Sequence, residues 1–338
     1  MLTHLPGSGI KRGPVVVTGG AGFIGSHLVE RLLNDGWSVV VVDDFSTGDE
    51  SNLAAVKGRP GLKVIRAKVS ACPDLGNIVA DASFVFHLAA VVGVELVLRD
   101  PLAAIRTNLH ETEAILDAAA RAKTPLLLAS TSEVYGKSYK AQLEETDDLI
   151  IGPPHFSRWS YACSKLTDEF LALGHAHASG LPITIVRLFN TVGPRQTGRH
   201  GMVLPRFVAA ALKNEPLRVY GDGSQTRCFC HVLDTVEALL RLKDQPSTRG
   251  EIFNIGSEDE ISIRDLASQV IQTLGSRSGV ERIPYSAAYP PGFEEMQRRR
   301  PNVAKLVAAT GFRPLRSLRE IIGDIAGGEA AKPPGHRP

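Results

Sequence analysis

Val15-Val16-Val17-Thr18-Gly19-Gly20-Ala21-Gly22-Phe23-Ile24-Gly25 is the stretch that decides the fold of this chain. Its β-branched start suits a buried strand, and helical spacing of apolar residues follows from Phe23 to Leu33. Glycines at 19, 22 and 25 lie between the two. That spacing permits a tight turn, close approach of the backbone to a pyrophosphate, and close packing of helix on strand. An ordinary strand-to-helix turn would account for the glycines alone. It would not account for the next strand, residues 37–42, ending in Asp43-Asp44. A carboxylate at that end can accept from both ribose hydroxyls of an adenosine and would repel a 2′-phosphate, so NAD is expected rather than NADP. Asp43 is the first candidate and Asp44 its neighbouring alternative.

The same alternation continues outward. Strands are expected at residues 62–67, 84–88, 126–128 and 183–188, with helices over 101–122 and from Tyr161 towards His177. Continuous apolar runs alternating with helices indicate a parallel, doubly wound α/β sheet of the Rossmann type. After Asn190 the chain becomes richer in Pro, Gly and Arg, with shorter elements. The expected division is a dinucleotide-binding domain over 14–190 and a smaller, mainly substrate-binding domain over 191–326, with one element able to cross back to the sheet. Residues 1–13 and 327–338 read as flexible tails.

Composition narrows the class. The 338 residues are 43% hydrophobic and 22% charged, ordinary for a soluble globular protein. A net charge of +2, without Lys and Arg runs interleaved with aromatics, gives no reason to expect a nucleic-acid partner. Cys72, Cys163, Cys228 and Cys230 form no C-x-x-C pair, so neither a metal site nor a disulfide framework is expected. No apolar run approaches the roughly 20 residues that span a bilayer, and the N-terminus lacks a signal-peptide core. A cytoplasmic protein without membrane contact is the expectation.

Chemistry enters at Ser130-Thr131-Ser132-Glu133-Val134-Tyr135-Gly136 and Tyr161-Ala162-Cys163-Ser164-Lys165. Tyr161 and Lys165 are four residues apart and share a helix face. An ammonium there holds a phenol of pKa about 10 nearer ionisation and makes it a usable base. Thr131 offers a hydroxyl to the same relay. Oxidising an alcohol requires no carboxylate beside that relay, so Glu133 points to a second step. His87, inside a buried strand, reads as a structural histidine.

Together these residues resemble the extended short-chain dehydrogenase/reductase family that modifies nucleotide sugars. The matching pieces are T-G-G-A-G-F-I-G-S at 18–26, H-L-A-A at 87–90, Asn108, S-T-S-E-V-Y-G at 130–136 and Y-A-C-S-K at 161–165. R-L-F-N-T-V-G-P-R at 187–195 and V-Y-G-D-G-S-Q-T-R at 219–227 complete the set. The resemblance covers residues 14–325. It implies NAD held by Gly19, Gly22, Phe23, Ile24, Gly25, Asp43, Asp44, Leu88, Ala89, Asn108, Tyr161 and Lys165. It further implies a nucleotide-sugar substrate, a UDP-sugar first, bound by Asn190, Arg206, Tyr220, Arg227 and Arg299, and a homodimer paired through the helices starting at Pro101 and Ser160. One departure is Ala67-Lys68-Val69, where many relatives carry Gly-Asp-Ile or Gly-Asp-Val with the Asp reaching the adenine.

Family members share an opening step, removal of the sugar 4-hydroxyl proton by the tyrosine as hydride passes to NAD. The 4-keto sugar is then turned and reduced by an epimerase, dehydrated across C5 and C6 by a 4,6-dehydratase, or decarboxylated by a uronate decarboxylase. Glu133 argues against a plain 4-epimerase but fits both other reactions. Ser132 stands where many dehydratases carry an aspartic acid, and a hydroxyl is a poor general acid. Arg298-Arg299-Arg300-Pro301, with residues 149–153, 158–161 and Tyr289-Pro290-Pro291-Gly292-Phe293, resembles UDP-glucuronate decarboxylases. There Arg299 would hold the uronate and deliver a proton to C5, directly or through a water. Ser132 would bond the carboxylate, and Glu133 would disfavour its charge. The reading is thus a UDP-glucuronate decarboxylase using NAD, with a 4-epimerase (of a uronate or another sugar) second and a 4,6-dehydratase third. A non-catalytic nucleotide-binding protein would not require Thr131, Tyr161 and Lys165.

Overall fold

The structure, a computed structural model, describes residues 13–93, 97, 99–198, 202–288, 294 and 296–330. The chain begins β1 (Val15–Thr18), α1 (Phe23–Asn34), β2 (Val39–Asp43), β3 (Leu62–Arg66), α2 (Leu75–Asp81) and β4 (Phe84–His87). It continues with α3 (Pro101–Ala122), β5 (Leu126–Thr131), α4 (Trp159–Ser179), β6 (Ile183–Leu188) and β7 (Thr191–Val192). Next come α5 (Val203–Leu212), β8 (Leu217–Tyr220), β9 (Thr226–Cys228), β10 (Cys230–His231), α6 (Val232–Lys243) and β11 (Glu251–Ile255). The last elements carried in the argument are β12 (Glu260–Ser262), α7 (Ile263–Leu274), β13 (Val280–Ile283), α8 (Ala304–Thr310) and α9 (Leu318–Ala330).

Seven strands form the central sheet in the order β3-β2-β1-β4-β5-β6-β11, and each neighbouring pair is parallel. Helices cover both faces, which is why the strands read as unbroken apolar runs. Val15 and Val17 point to the face covered by α1, α6 and α8, while Val16 points to the face covered by α2, α3 and α4. Each such buried valine contributes roughly 1.5–3 kcal/mol relative to exposure. Strand order reverses between β1 and β4, and ligands of such sheets bind in the crevice at that switch point, beyond the carboxyl ends of the strands.

Local signals set the helix ends. Asp100 accepts from the Ala103 amide at 2.9 Å and Pro101 occupies the first turn, starting α3. Gly180, at φ 66°, ends α4 in a left-handed cap that costs a glycine little.

The second half packs α5, α7 and α9 with β8 around Leu204, Phe207, Leu266, Val270 and Ile322. Residues 191–326 are not one body, however. β11 pairs with β6, and α6 lies in the same apolar cluster as α1. The expectation of a flexible tail from residue 327 onward does not hold for residues 327–330. These residues form the last turn of α9, a helix anchored by buried Ile321, Ile322 and Ile325. Residues 1–12 and 331–338, and the stretch 289–293, lie outside the described residues.

Candidate active site

At the β1 end the glycine loop is shaped by what a side chain would strike. Gly19 has φ 70°, and a Cβ there would lie 2.8 Å from the Ala89 amide nitrogen. A Cβ on Gly25 would lie 2.1 Å from the Gly19 carbonyl oxygen. Gly22, by contrast, meets only that oxygen at 3.1 Å and caps α1 without any side-chain acceptor. The first amides of α1, which also carries Phe23 and Ile24, are thus left facing the loop, the arrangement that receives a pyrophosphate. Asp43 is 7% exposed; its Oδ2 accepts from the Ala21 amide and its Oδ1 from the Phe45 amide, both at 2.8 Å. Burial raises its carboxyl above the ordinary range, against the two amides and with the help of Asp44. Each oxygen keeps a lone pair for a ribose hydroxyl. Asp44 instead accepts from the Ser46 amide and is turned into its own loop.

Thr18 ties this loop to β4: its carbonyl accepts from the Leu88 amide at 3.2 Å and its hydroxyl from the Ala89 amide at 3.3 Å. Asn108 of α3, buried, accepts from the Val91 amide at 2.8 Å and donates to the Ser164 hydroxyl at 3.2 Å. It thereby fixes the segment after β4 against the helix that carries Tyr161 and Lys165. The residues around the crevice fit NAD: uncapped amides for the pyrophosphate, a carboxylate for the ribose, and glycines where the backbone must come close.

Thr131 ends β5, and its hydroxyl accepts from the Glu133 amide at 3.2 Å, starting the short turn Ser132–Tyr135. Tyr161 lies against Thr131. Burial first, then Glu133 and Asp168, push its phenol well above the usual range, with Thr131 and Arg299 acting the other way. In the free protein the phenol is therefore protonated at neutral pH, and a cation must be brought to bear on it before it serves as a base. Lys165, 2% exposed, donates to Asp168 at 2.8 Å.

Glu133 does not stand as an isolated negative charge. Arg299 Nη1 donates to its Oε1, and Arg158 Nη2 lies 3.2 Å from its Oε2. Burial opposes ionisation of Glu133, but Arg158, Arg299 and Arg227 outweigh it and hold the carboxyl below its ordinary range. The expectation that Glu133 repels a substrate carboxylate needs that correction, because its charge is matched while the pairs are intact. Arg299 also donates to Asn190 Oδ1 at 2.9 Å, so one guanidinium joins the segments after β5 and β6.

The other expected residues divide. Ser132 is buried beside Glu133, and Arg227, buried in β9, adds its charge to the cluster. Arg206 donates to the Tyr220 hydroxyl at 2.8 Å and stacks 4.7 Å from its ring centre, so α5 and β8 present a cation on an aromatic face. Arg298 is bound to Glu260, and Arg300 donates to the Glu258 carbonyl. Of the three consecutive arginines, only Arg299 turns into the site. Two residues were missed in the sequence. Arg158 precedes Tyr161 by three positions and Asp168 follows Lys165 by three, spacings that put each pair on a common helix face.

Such a crevice defines an enzyme that binds a dinucleotide at the carboxyl edge of a Rossmann sheet. Residues 15–256 match the NAD dependent epimerase/dehydratase family. The chain belongs to that family, and NAD is its cofactor. It is 43% identical over 300 residues to UDP-N-acetyl-alpha-D-glucosaminuronate decarboxylase of Bacillus cytotoxicus, covering 88% of this chain and 92% of that protein. It is 35% identical over 314 residues to UDP-glucuronic acid decarboxylase 1 of Arabidopsis thaliana, covering 93% of this chain and 69% of that protein. Among solved structures it is similar to UDP-glucuronic acid 4-epimerase from Bacillus cereus, in complex with UDP-glucuronic acid and NAD. That likeness has a TM-score of 0.83 at 27% identity, over 93% of this chain and 98% of that one.

Proposed function

We propose that the protein decarboxylates a UDP-linked hexuronate. The observation that carries the reading is the guanidinium cluster of Arg158, Arg299 and Arg227 around Glu133, beside Thr131 and Tyr161. A sugar whose C6 is a carboxylate suits such a pocket, and a neutral hexose does not require it. The names of the two curated relatives support the same reaction. The higher identity to the 2-acetamido uronate decarboxylase makes that substrate a first candidate beside UDP-glucuronate.

In this reading the glycine loop and Asp43 would hold NAD, which would supply the hydride acceptor for C4. Tyr161 takes the 4-hydroxyl proton. With C4 a ketone, the C5–C6 bond breaks, its electrons enter the C4 carbonyl, and carbon dioxide leaves. Thr131 and Tyr161 donate to the enolate oxygen that forms, stabilising charge where it develops. Arg299 orients the carboxylate, Ser132 donates to it, and Glu133 is displaced from its guanidinium as the substrate enters. An arginine holds its proton too firmly to be a ready acid, so a water held by Arg299 protonates C5.

Asn190 and Arg227 are assigned to the nucleotide diphosphate, and Arg206 and Tyr220 to the base. We further infer a homodimer through α3 and α4, whose Leu102 and Phe170 are 55% and 69% exposed. No helix among the described residues is long and apolar enough to cross a membrane; a cytoplasmic place remains part of the proposal.

The test is to incubate the NAD-loaded enzyme separately with UDP-glucuronate, UDP-N-acetylglucosaminuronate and UDP-glucose, and to weigh the products. Loss of carbon dioxide from either uronate supports decarboxylation. Unchanged mass with altered retention identifies an epimerase, the activity of the structural relative that binds UDP-glucuronic acid. Loss of water identifies a dehydratase.

A further inference from the structure

Asp168 lies one turn beyond Lys165 on α4 and is completely buried. Its Oδ2 accepts from Lys165 Nζ at 2.8 Å, and that ammonium is itself almost wholly buried. Taking an ammonium out of water is penalised by several kcal/mol unless a counter-ion accompanies it.

The groups that face the pair come from several elements. Thr112 of α3 lies against Asp168, and the same hydroxyl is 3.3 Å from Nε2 of His87 on β4. His87 is held neutral, its pKa pushed down to about 3 by burial and then by the charge of Lys165, so it adds no cation. Glu169, the next residue on α4, is taken by Arg187 of β6 at 2.8 Å and by the Ser130 hydroxyl of β5. Tyr161 stands one turn before Lys165, with Glu133 and Arg299 beyond it. Asp168 is therefore the carboxyl group in contact with the ammonium: burial raises it above its ordinary range, Lys165 and then Thr112 act the other way, and its charge is felt at the phenol as well.

We propose that Asp168 is a positioning residue of the relay, keeping the Lys165 ammonium charged in a dry site while tempering the positive field it exerts on Tyr161. The inference rests on the reading of Tyr161 and Lys165 as the proton relay. It has a consequence that neither residue alone would produce. Removing the Asp168 charge makes Tyr161 easier to ionise, which moves the acid limb of the activity profile to lower pH. It also leaves the buried ammonium without its counter-ion, which Asp168→Glu would supply again.

The experiment measures kcat/KM against pH for the NAD-loaded wild-type enzyme, Asp168→Asn, Asp168→Glu and Tyr161→Phe. Alongside it, the tyrosinate absorbance of each NAD-free protein is titrated. Asp168→Asn is expected to shift the acid limb down by about one pH unit and to move the Tyr161 absorbance transition the same way. Asp168→Glu is expected to restore the wild-type limb. Where Asp168→Asn does not fold, Asp168→Ser reads the same limb. An unmoved acid limb and an unmoved absorbance transition, with only rate or melting temperature reduced, would overturn the proposal and leave Asp168 a packing residue. An active Tyr161→Phe would overturn the relay itself, an outcome separate from the first.

Discussion

The nucleotide end and the sugar end of the crevice are built in opposite ways. Around β1 and α1, the glycines at 19, 22 and 25 and Asp43 lie within one strand–helix–strand unit, and backbone geometry does most of the binding. At the sugar end Arg299 reaches Glu133 across 166 residues of sequence and Asn190 across 109. The first region depends on local turns and close packing, which a short stretch of chain specifies. The second depends on buried charges whose partners arrive only when the whole chain has folded. A fault at the nucleotide end therefore shows first in stability or NAD affinity, and one at the sugar end in turnover.

The largest effect tests that division directly. Tyr161→Phe removes the hydroxyl that lies against Thr131 and is expected to lower kcat by roughly 10³-fold, while NAD affinity by calorimetry and the melting temperature stay close to wild type.

Acid should attack the nucleotide half first. His87 Nδ1 lies 2.8 Å from Thr18 Oγ1, and the ring stays neutral down to about pH 3. An unfolded chain takes up that proton near pH 6.5, so stability is full above pH 6.5 and is lost as pH falls towards 3. Between pH 6.5 and pH 4 the loss is about 3 kcal/mol. Denaturant midpoints between pH 7 and pH 4 measure it, and His87→Gln should flatten the slope.

Arg299→Ala leaves Glu133 with Arg158 and releases Asn190. A loss of about 10²-fold in kcat/KM is expected for the uronate substrate, with UDP-glucose affinity little changed. An equal loss for both ligands would show that Arg299 supports the pocket as a whole, erasing the contrast drawn above.

Asp43→Asn is the smallest. One carbonyl oxygen still accepts a backbone amide, so the fold should hold while the NAD Kd rises by about tenfold, near 1.4 kcal/mol. A collapse of stability instead would mean that Asp43 serves the Ala21 and Phe45 amides more than the cofactor.

Much of this was legible in the chain itself. The alternation of apolar runs and helices fixed a doubly wound sheet, because strands covered on both faces can carry little else. The Tyr161–Lys165 spacing was legible because helix geometry alone makes such residues neighbours. Which of Arg298, Arg299 and Arg300 enters the site was not. Consecutive residues point in different directions, and Glu260 and the Glu258 carbonyl, which claim the other two, are some forty residues away. That an element crosses back to the sheet was expected, but not that it is β11 beside β6, since a five-residue apolar strand does not name its partner.

By itself, then, the sequence determined the Rossmann sheet, the glycine loop with its acidic neighbour and the placing of Tyr161 and Lys165 on one helix, all set by interactions between near neighbours. Tertiary structure alone decided that Glu133 is a paired carboxylate, that Arg158 shares it with Arg299, and that Lys165 is buried against Asp168. Those are matters of charge in a place without water, and burial and partnership are properties of the folded chain.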